Sequence, residues 1–130
     1  MESDAPIGVL LVDDHEQFVN VLKAILAGED GLAVVGQADN GADAVELTDQ
    51  LDPDVVLMDI SMPVMDGFEA TRRIVAAHPE TSVIILTGSS AQEDRAEARD
   101  AGAVGYVVKD RVLEELGDAV RTAADQRGLS

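Results

Sequence analysis

A doubly wound α/β sandwich, a single sheet of five parallel strands with five helices on its two faces, is the fold this sequence predicts. Three observations point to it. Five short apolar runs alternate with five segments of helical spacing. Most of the runs are continuous, as strands covered on both faces of a parallel sheet require. Gly, Pro and Asp punctuate the joins. With 130 residues, 46% of them hydrophobic, the chain has material for one core and not for two. Residues 7–124 are expected to form that domain, with 1–6 as an N-terminal tail and 125–130 as a C-terminal tail or the start of a linker.

Ile7 to Val12 opens the pattern as a strand rich in β-branched residues. Phe18, Val21, Leu22, Ile25 and Leu26 then recur at helical spacing from about Glu16. Leu32 to Ala38 is the next strand, and because it contains Gly36 and Gln37 it is the best candidate for a sheet edge. Asp39, Asn40 and Gly41 read as a turn and cap for a helix over Ala42 to Leu51, which Asp52-Pro53 ends. Val55 to Met58 is the third strand, and Pro63 and Gly67 introduce a helix from Gly67 to Ala77 that stops at His78-Pro79. Val83 to Leu86 follows. The fourth helix, about Ala91 to Ala101, offers mainly alanines as an apolar face, so it should be weakly held and is the element expected to move. After Gly102 come the fifth strand, Val104 to Val108, and a last helix on which Val112, Leu113, Leu116, Ala119, Val120, Ala123 and Ala124 share a stripe. Right-handed crossovers join the strands.

Composition excludes several classes of function. Twenty-six acidic against nine basic residues give a net charge of −17, which opposes direct binding to nucleic acid or to anionic membranes. Without cysteine there are neither disulfides nor thiolate metal sites. No apolar run approaches the roughly 20 residues that span a bilayer, and Met1 to Ile7 lacks signal-peptide features, so the expected location is cytoplasmic. Two lysines, Lys23 and Lys109, against seven arginines fit codon bias better than salt adaptation.

The chemistry lies in where polar residues fall relative to strands. Asp13 and Asp14 follow the first strand, Asp59 the third, Thr87 the fourth and Lys109 the fifth, all at carboxyl ends, and a parallel sheet brings those ends to one edge. Ligands in open α/β sheets bind there, where strand order reverses. The flavodoxin-like order 2-1-3-4-5 is taken over from that class of folds. If the three aspartates meet, carboxylates ~4 Å apart repel by about 4 kcal/mol at an effective dielectric near 20, so the cluster demands a cation. All-oxygen ligands favour a hard ion. Mg²⁺ suits best because it needs few carboxylates and leaves positions for phosphoryl oxygens, with Ca²⁺ and Mn²⁺ as alternatives. A carboxylate in such a site can attack phosphorus, while an ammonium and a hydroxyl neutralise the transferred group.

Each residue also has a plainer reading. Asp13 or Asp14 alone caps a helix, Asp59 sits in a solvated turn, Thr87 ends a strand and Lys109 is a surface charge. Their joint placement is what argues against coincidence. His15 and His78 read as lone histidines without a metal-ligand partner at helical spacing, at helix-terminal or loop positions, Glu114 and Glu115 as a solvated helix face, and Asp39 as an edge residue away from the switch point.

The stretches Leu10-Leu11-Val12-Asp13-Asp14-His15, Met58-Asp59-Ile60-Ser61-Met62-Pro63-Val64-Met65-Asp66-Gly67, Leu86-Thr87 and Gly105-Tyr106-Val107-Val108-Lys109-Asp110 resemble, in order, the motifs of two-component response-regulator receiver domains. The resemblance covers about Ile7 to Ala124. It implies that Asp59 accepts a phosphoryl group from a sensor histidine kinase. It further implies that Asp14, Asp59 and the Ser61 backbone carbonyl ligate Mg²⁺, with Asp13 assisting through water. Thr87 would bond the phosphoryl group, Lys109 would pair with it, and Tyr106 would turn inward as a switch. The same resemblance implies no enzymatic turnover beyond self-directed phosphotransfer and autodephosphorylation. It also implies a homodimer surface on the fourth helix, fifth strand and fifth helix.

Asp14-His15 and Lys109-Asp110 are most similar to receivers of the LuxR/FixJ type, which are fused to a helix-turn-helix and control transcription. Gln126 to Ser130 is accordingly the start of a linker or, less favoured, the end of a single-domain regulator. One departure is Asp110, where many receivers place a cis proline; a cis bond without proline costs ~2.5 to 4 kcal/mol, so Lys109 is expected to be held differently. Ser61 and Ser89 occupy positions that influence phosphoryl lifetime in the family. Two other readings compete. A haloacid-dehalogenase-like phosphatase would open on its nucleophile in an Asp-x-Asp motif, whereas here the acidic pair comes first. An unphosphorylated receiver used for docking would not need every chemical position filled.

Overall fold

The computed structural model describes residues 5–62, 64–88 and 92–128. The elements run β1 (Ile7–Val12), α1 (Glu16–Ala27), β2 (Leu32–Ala38), α2 (Gly41–Leu51), β3 (Val55–Asp59), α3 (Gly67–Ala77), β4 (Ser82–Thr87), α4 (Gln92–Ala101) and β5 (Gly105–Val108), then a 3₁₀ turn (Lys109–Arg111) and α5 (Val112–Gly128). All strand pairs are parallel and the sheet order is β2-β1-β3-β4-β5, with β2 at an edge as its glycine implied.

The continuous apolar runs have a simple cause. Successive strand residues point to opposite faces, and here both faces are covered. Val9, Leu11, Leu57, Ile84 and Leu86 pack against Val19, Leu22 and Leu26 of α1 and Leu116 and Val120 of α5. Leu10, Val12, Val56, Met58, Val83 and Ile85 pack on the other face against Ala44 of α2, Phe68, Ala70 and Ile74 of α3, and Ala98 and Ala101 of α4. Burying each large side chain is worth ~1.5–3 kcal/mol, so these two layers hold the sheet edge that carries the polar residues.

Element bounds differ from the sequence reading in small, explicable ways. Asp59 and Thr87 are the last residues of their strands rather than residues after them, because their backbones still pair, Asp59 with Leu86 and Thr87 with Val108. Helix α5 continues through Gly128, past the expected boundary at Ala124. Leu113 is 80% exposed, although it was expected on the apolar stripe: it lies at the margin, about 100° around the helix from Val112. Val21 is likewise partly exposed on α1. Pro63, Ser89 and Ala91, all used in the sequence reading, lie outside the described residues.

Candidate functional site

Strand register builds the site. Val12 pairs with Met58, so Asp13, one residue on, comes level with Asp59, and the next two strands bring Thr87 and then Lys109 to the same edge. Neighbouring strands are about 4.8 Å apart, which places these groups within reach of one another. Asp13, Asp59 and Thr87 are each 3% exposed or less. The Lys109 ammonium lies 2.9 Å from Asp13 Oδ2 and 3.3 Å from Asp59 Oδ1. Asp59 Oδ2 is buried without a hydrogen-bond partner among the described residues. Among the described residues no peptide bond is cis, and Lys109 reaches both carboxylates from the first position of the 3₁₀ turn.

The capping alternative for the acidic pair is not what the chain does. His15 is the N-cap of α1, and its side chain makes no capping hydrogen bond. Instead Asp13 Oδ1 accepts from the His15 backbone N–H at 2.8 Å, and the imidazole Nδ1 lies 3.0 Å from Asp13 Oδ1 and 3.1 Å from Asp14 Oδ1. His15 is therefore at the helix terminus as expected, but potential co-ligands stand beside it: Asp13, Asp14, His15 and Asp59 each offer one potential ligand atom within 4.8 Å of the others. His78 Nε2 lies 2.6 Å from Asp49 of α2, a contact with one carboxylate. For His15 the sequence signal was the adjacent acidic pair, whereas Asp49 stands 29 residues from His78 and nothing local announces that contact.

Asn40 caps α2 by accepting from the Asp43 N–H, as the turn reading required. Asp39 is less remote than expected, for with Asp43, Glu16 and Gln37 it lines a cleft of about 410 Å³ that runs from Asp13 and Asp14 towards β2. Glu114 and Glu115 are exposed, in keeping with a solvated face. Tyr106 on β5 is half-buried with the Arg95 guanidinium 4.4 Å from its ring centroid. Phe18, read only as a core-facing residue, carries the Lys109 ammonium 4.6 Å from its centroid.

The loop from Asp59 to α3 is held by close backbone approach. Gly67 N–H donates to the Ile60 carbonyl and Gly41 N–H to the Met65 carbonyl, both at 3.2 Å. A Cβ on Gly67 would overlap the Asp59 carbonyl oxygen, and one on Gly41 the Met65 carbonyl oxygen. Asp66 caps α3 by accepting from the Glu69 N–H. These contacts fix where β3 ends and therefore where Asp59 points.

Electrostatics follow from the burial. Desolvation, and then the Asp13 charge, hold the Asp59 pKa above its ordinary value near 3.8, against the opposing pull of Lys109 and the Ser61 backbone N–H. Burial alone would lower the Lys109 pKa, but Asp13 and Asp59 outweigh it and hold it above 10.5. Between pH 3.8 and the raised value, the native state keeps a proton on Asp59 that the unfolded state has lost, so stability falls as pH rises through that window. Without divalent metal, Asp59→Asn is expected to raise stability at pH 7 by about 1–2 kcal/mol in urea unfolding. The gain should vanish below pH 3.8, where the carboxyl is protonated in both states.

A carboxylate cluster in which Asp13 and Asp59 are buried, with Lys109 as a partial counter-ion, fits a hard divalent cation. The geometry matches known proteins. The profile of the response regulator receiver domain matches residues 9–121. The response regulator GacA of Pseudomonas aeruginosa is 42% identical over 125 residues, covering 95% of this chain and 58% of that protein. The transcriptional regulatory protein YxjL of Bacillus subtilis is 41% identical, covering 91% of this chain and 54% of its own length. The chain thus spans a little over half the length of these relatives. A LuxR-family response regulator from Aurantimonas superposes with a TM-score of 0.89 at 31% identity, over 95% of this chain and 88% of that one. The NarL receiver domain of Mycobacterium tuberculosis gives 0.88 at 31%, over 93% and 98%. Fold, motif order and sequence similarity agree that this chain belongs to the response regulator receiver domain family.

Proposed function

We propose that this chain is a Mg²⁺-dependent phosphoacceptor module of two-component signalling, in which Asp59 takes a phosphoryl group from a sensor histidine kinase. The observation that carries the reading is Asp59 itself: 2% exposed, crowded by Asp13, touched by Lys109 and, among the described residues, left with an unpartnered oxygen at the sheet's carboxyl edge. Asp14, Asp59 and the Ser61 backbone carbonyl would hold Mg²⁺, with Asp13 assisting through water. When bound, the ion neutralises the carboxylates and draws charge from the phosphoryl oxygens.

An Asp59 carboxylate oxygen then forms a bond to phosphorus as the donor's P–N or P–O bond breaks, its electron pair leaving with the donor. Lys109 keeps its proton at the reaction edge and supplies a positive charge to the incoming oxygens. Thr87, buried at the end of β4, offers a hydroxyl to the new group, and Tyr106 on β5 is the surface residue that responds. Residues 7–124 are the working module. The chain turns over no external substrate beyond its own phosphorylation and dephosphorylation. Its output is transcription control through a DNA-binding domain of a longer cytoplasmic protein, aided by dimerisation through α4, β5 and α5.

The test is metal dependence. Incubated with acetyl phosphate, the protein should gain the mass of one phosphoryl group with Mg²⁺ and none after chelation. If no adduct forms, and beryllofluoride also fails to bind, the chain is an unphosphorylated docking module.

A further inference from the structure

We infer that Phe18 is a positioning residue for the reaction at Asp59, its ring face holding the Lys109 ammonium at the crevice. The inference rests on the reading of Asp59 as acceptor. Lys109 has a flexible four-carbon stem, and Asp110 rather than a stiffening proline follows it. The ammonium is nonetheless confined on three sides, by Asp13 Oδ2 at 2.9 Å, Asp59 Oδ1 at 3.3 Å and the Phe18 centroid at 4.6 Å. Phe18 is itself held, packed on the core formed by β1, β3, β4, α1 and α5.

The aromatic face does something a third carboxylate would not. It attracts a cation through its quadrupole but presents no lone pair. When a phosphoryl group arrives on Asp59, Lys109 has to turn part of its donor set towards the new oxygens. A carboxylate on the third side would compete for those protons, whereas a ring keeps the ammonium in place and leaves them available. It also excludes water from one side of the charge, which strengthens the remaining interactions.

The experiment compares the wild-type chain, Phe18→Leu and Phe18→Tyr in the rate of phosphorylation by acetyl phosphate with saturating Mg²⁺. Proton–carbon NMR of the lysine ε-methylenes is recorded alongside, with exposed Lys23 as the internal reference. Phe18→Leu should slow the reaction about threefold to tenfold and move the Lys109 ε-resonance from a ring-shifted position to that of Lys23. Phe18→Tyr, which restores the ring face, should recover most of the rate and of the shift, and Mg²⁺ affinity should stay within twofold throughout. Should Phe18→Leu fail to fold, Phe18→Met serves as the ring-less variant. The inference is overturned if the ring-less variant reacts as fast as wild type, if Phe18→Tyr is as slow as the ring-less variant, or if wild-type Lys109 shows no ring shift. A wild-type chain that takes no phosphoryl group overturns the Asp59 reading, and the inference with it, before any substitution is made.

Discussion

Asp59→Asn is expected to take up no phosphoryl group from acetyl phosphate or from a phosphorylated kinase, while folding at least as stably as wild type. The two halves of that result have one cause. Asn keeps the volume and most of the hydrogen bonding at a site that is 2% exposed, so the core around β3 and β4 is undisturbed. It removes the nucleophilic oxygen and the charge that Asp13 repels. Intact mass spectrometry reads the first half and urea unfolding the second. Residual uptake above a few per cent of wild type would place the acceptor elsewhere, Asp13 and Asp14 being the carboxylates of the same cluster.

Gly67→Ala should be the most damaging single methyl group in the β3–α3 region. The added Cβ would overlap the Asp59 carbonyl oxygen and stand 2.7 Å from Ile60 Cα, and both obstacles are backbone, so no rotamer change relieves them. The cost is expected to be about 3 kcal/mol, a large share of a domain's total stability. Part of the strain should be relieved by shifting the Asp59–Ile60 peptide, which moves the acceptor. Phosphoryl uptake should therefore fall further than the unfolded fraction explains. Gly88→Ala, with nothing among the described residues within 4 Å of its Cβ, is the matching control and should change stability by no more than about 0.5 kcal/mol. Equal effects at the two glycines would refute the close-approach account.

The fold was legible because its signal is local. Continuous β-branched runs, helical spacing and Gly or Pro at the joins are written residue by residue, and they placed every element to within a few positions. The strand order was not readable in that way and had to come from the class of folds. Asp13, Asp14, Asp59, Thr87 and Lys109 stood out because parallel strands carry their carboxyl ends to one edge whatever the side chains in between. Contacts set by tertiary packing left no trace in the sequence. His78 meets Asp49 and Phe18 lies under Lys109, yet each reads locally as an ordinary helix or helix-end residue. The steric reason for glycine at 67 and 41 was hidden for the same cause, since it depends on which backbone passes nearby.

The central claim is that one buried carboxylate carries the chemistry, and locating the modified residue tests it most directly. The wild-type protein, treated with acetyl phosphate and Mg²⁺, would be reduced with borohydride, which converts an aspartyl phosphate to homoserine, and then digested and mapped by mass spectrometry. The mark should fall on Asp59 alone. Homoserine at Asp13 or Asp14, or no mark in a protein that binds Mg²⁺ and beryllofluoride, would contradict the claim.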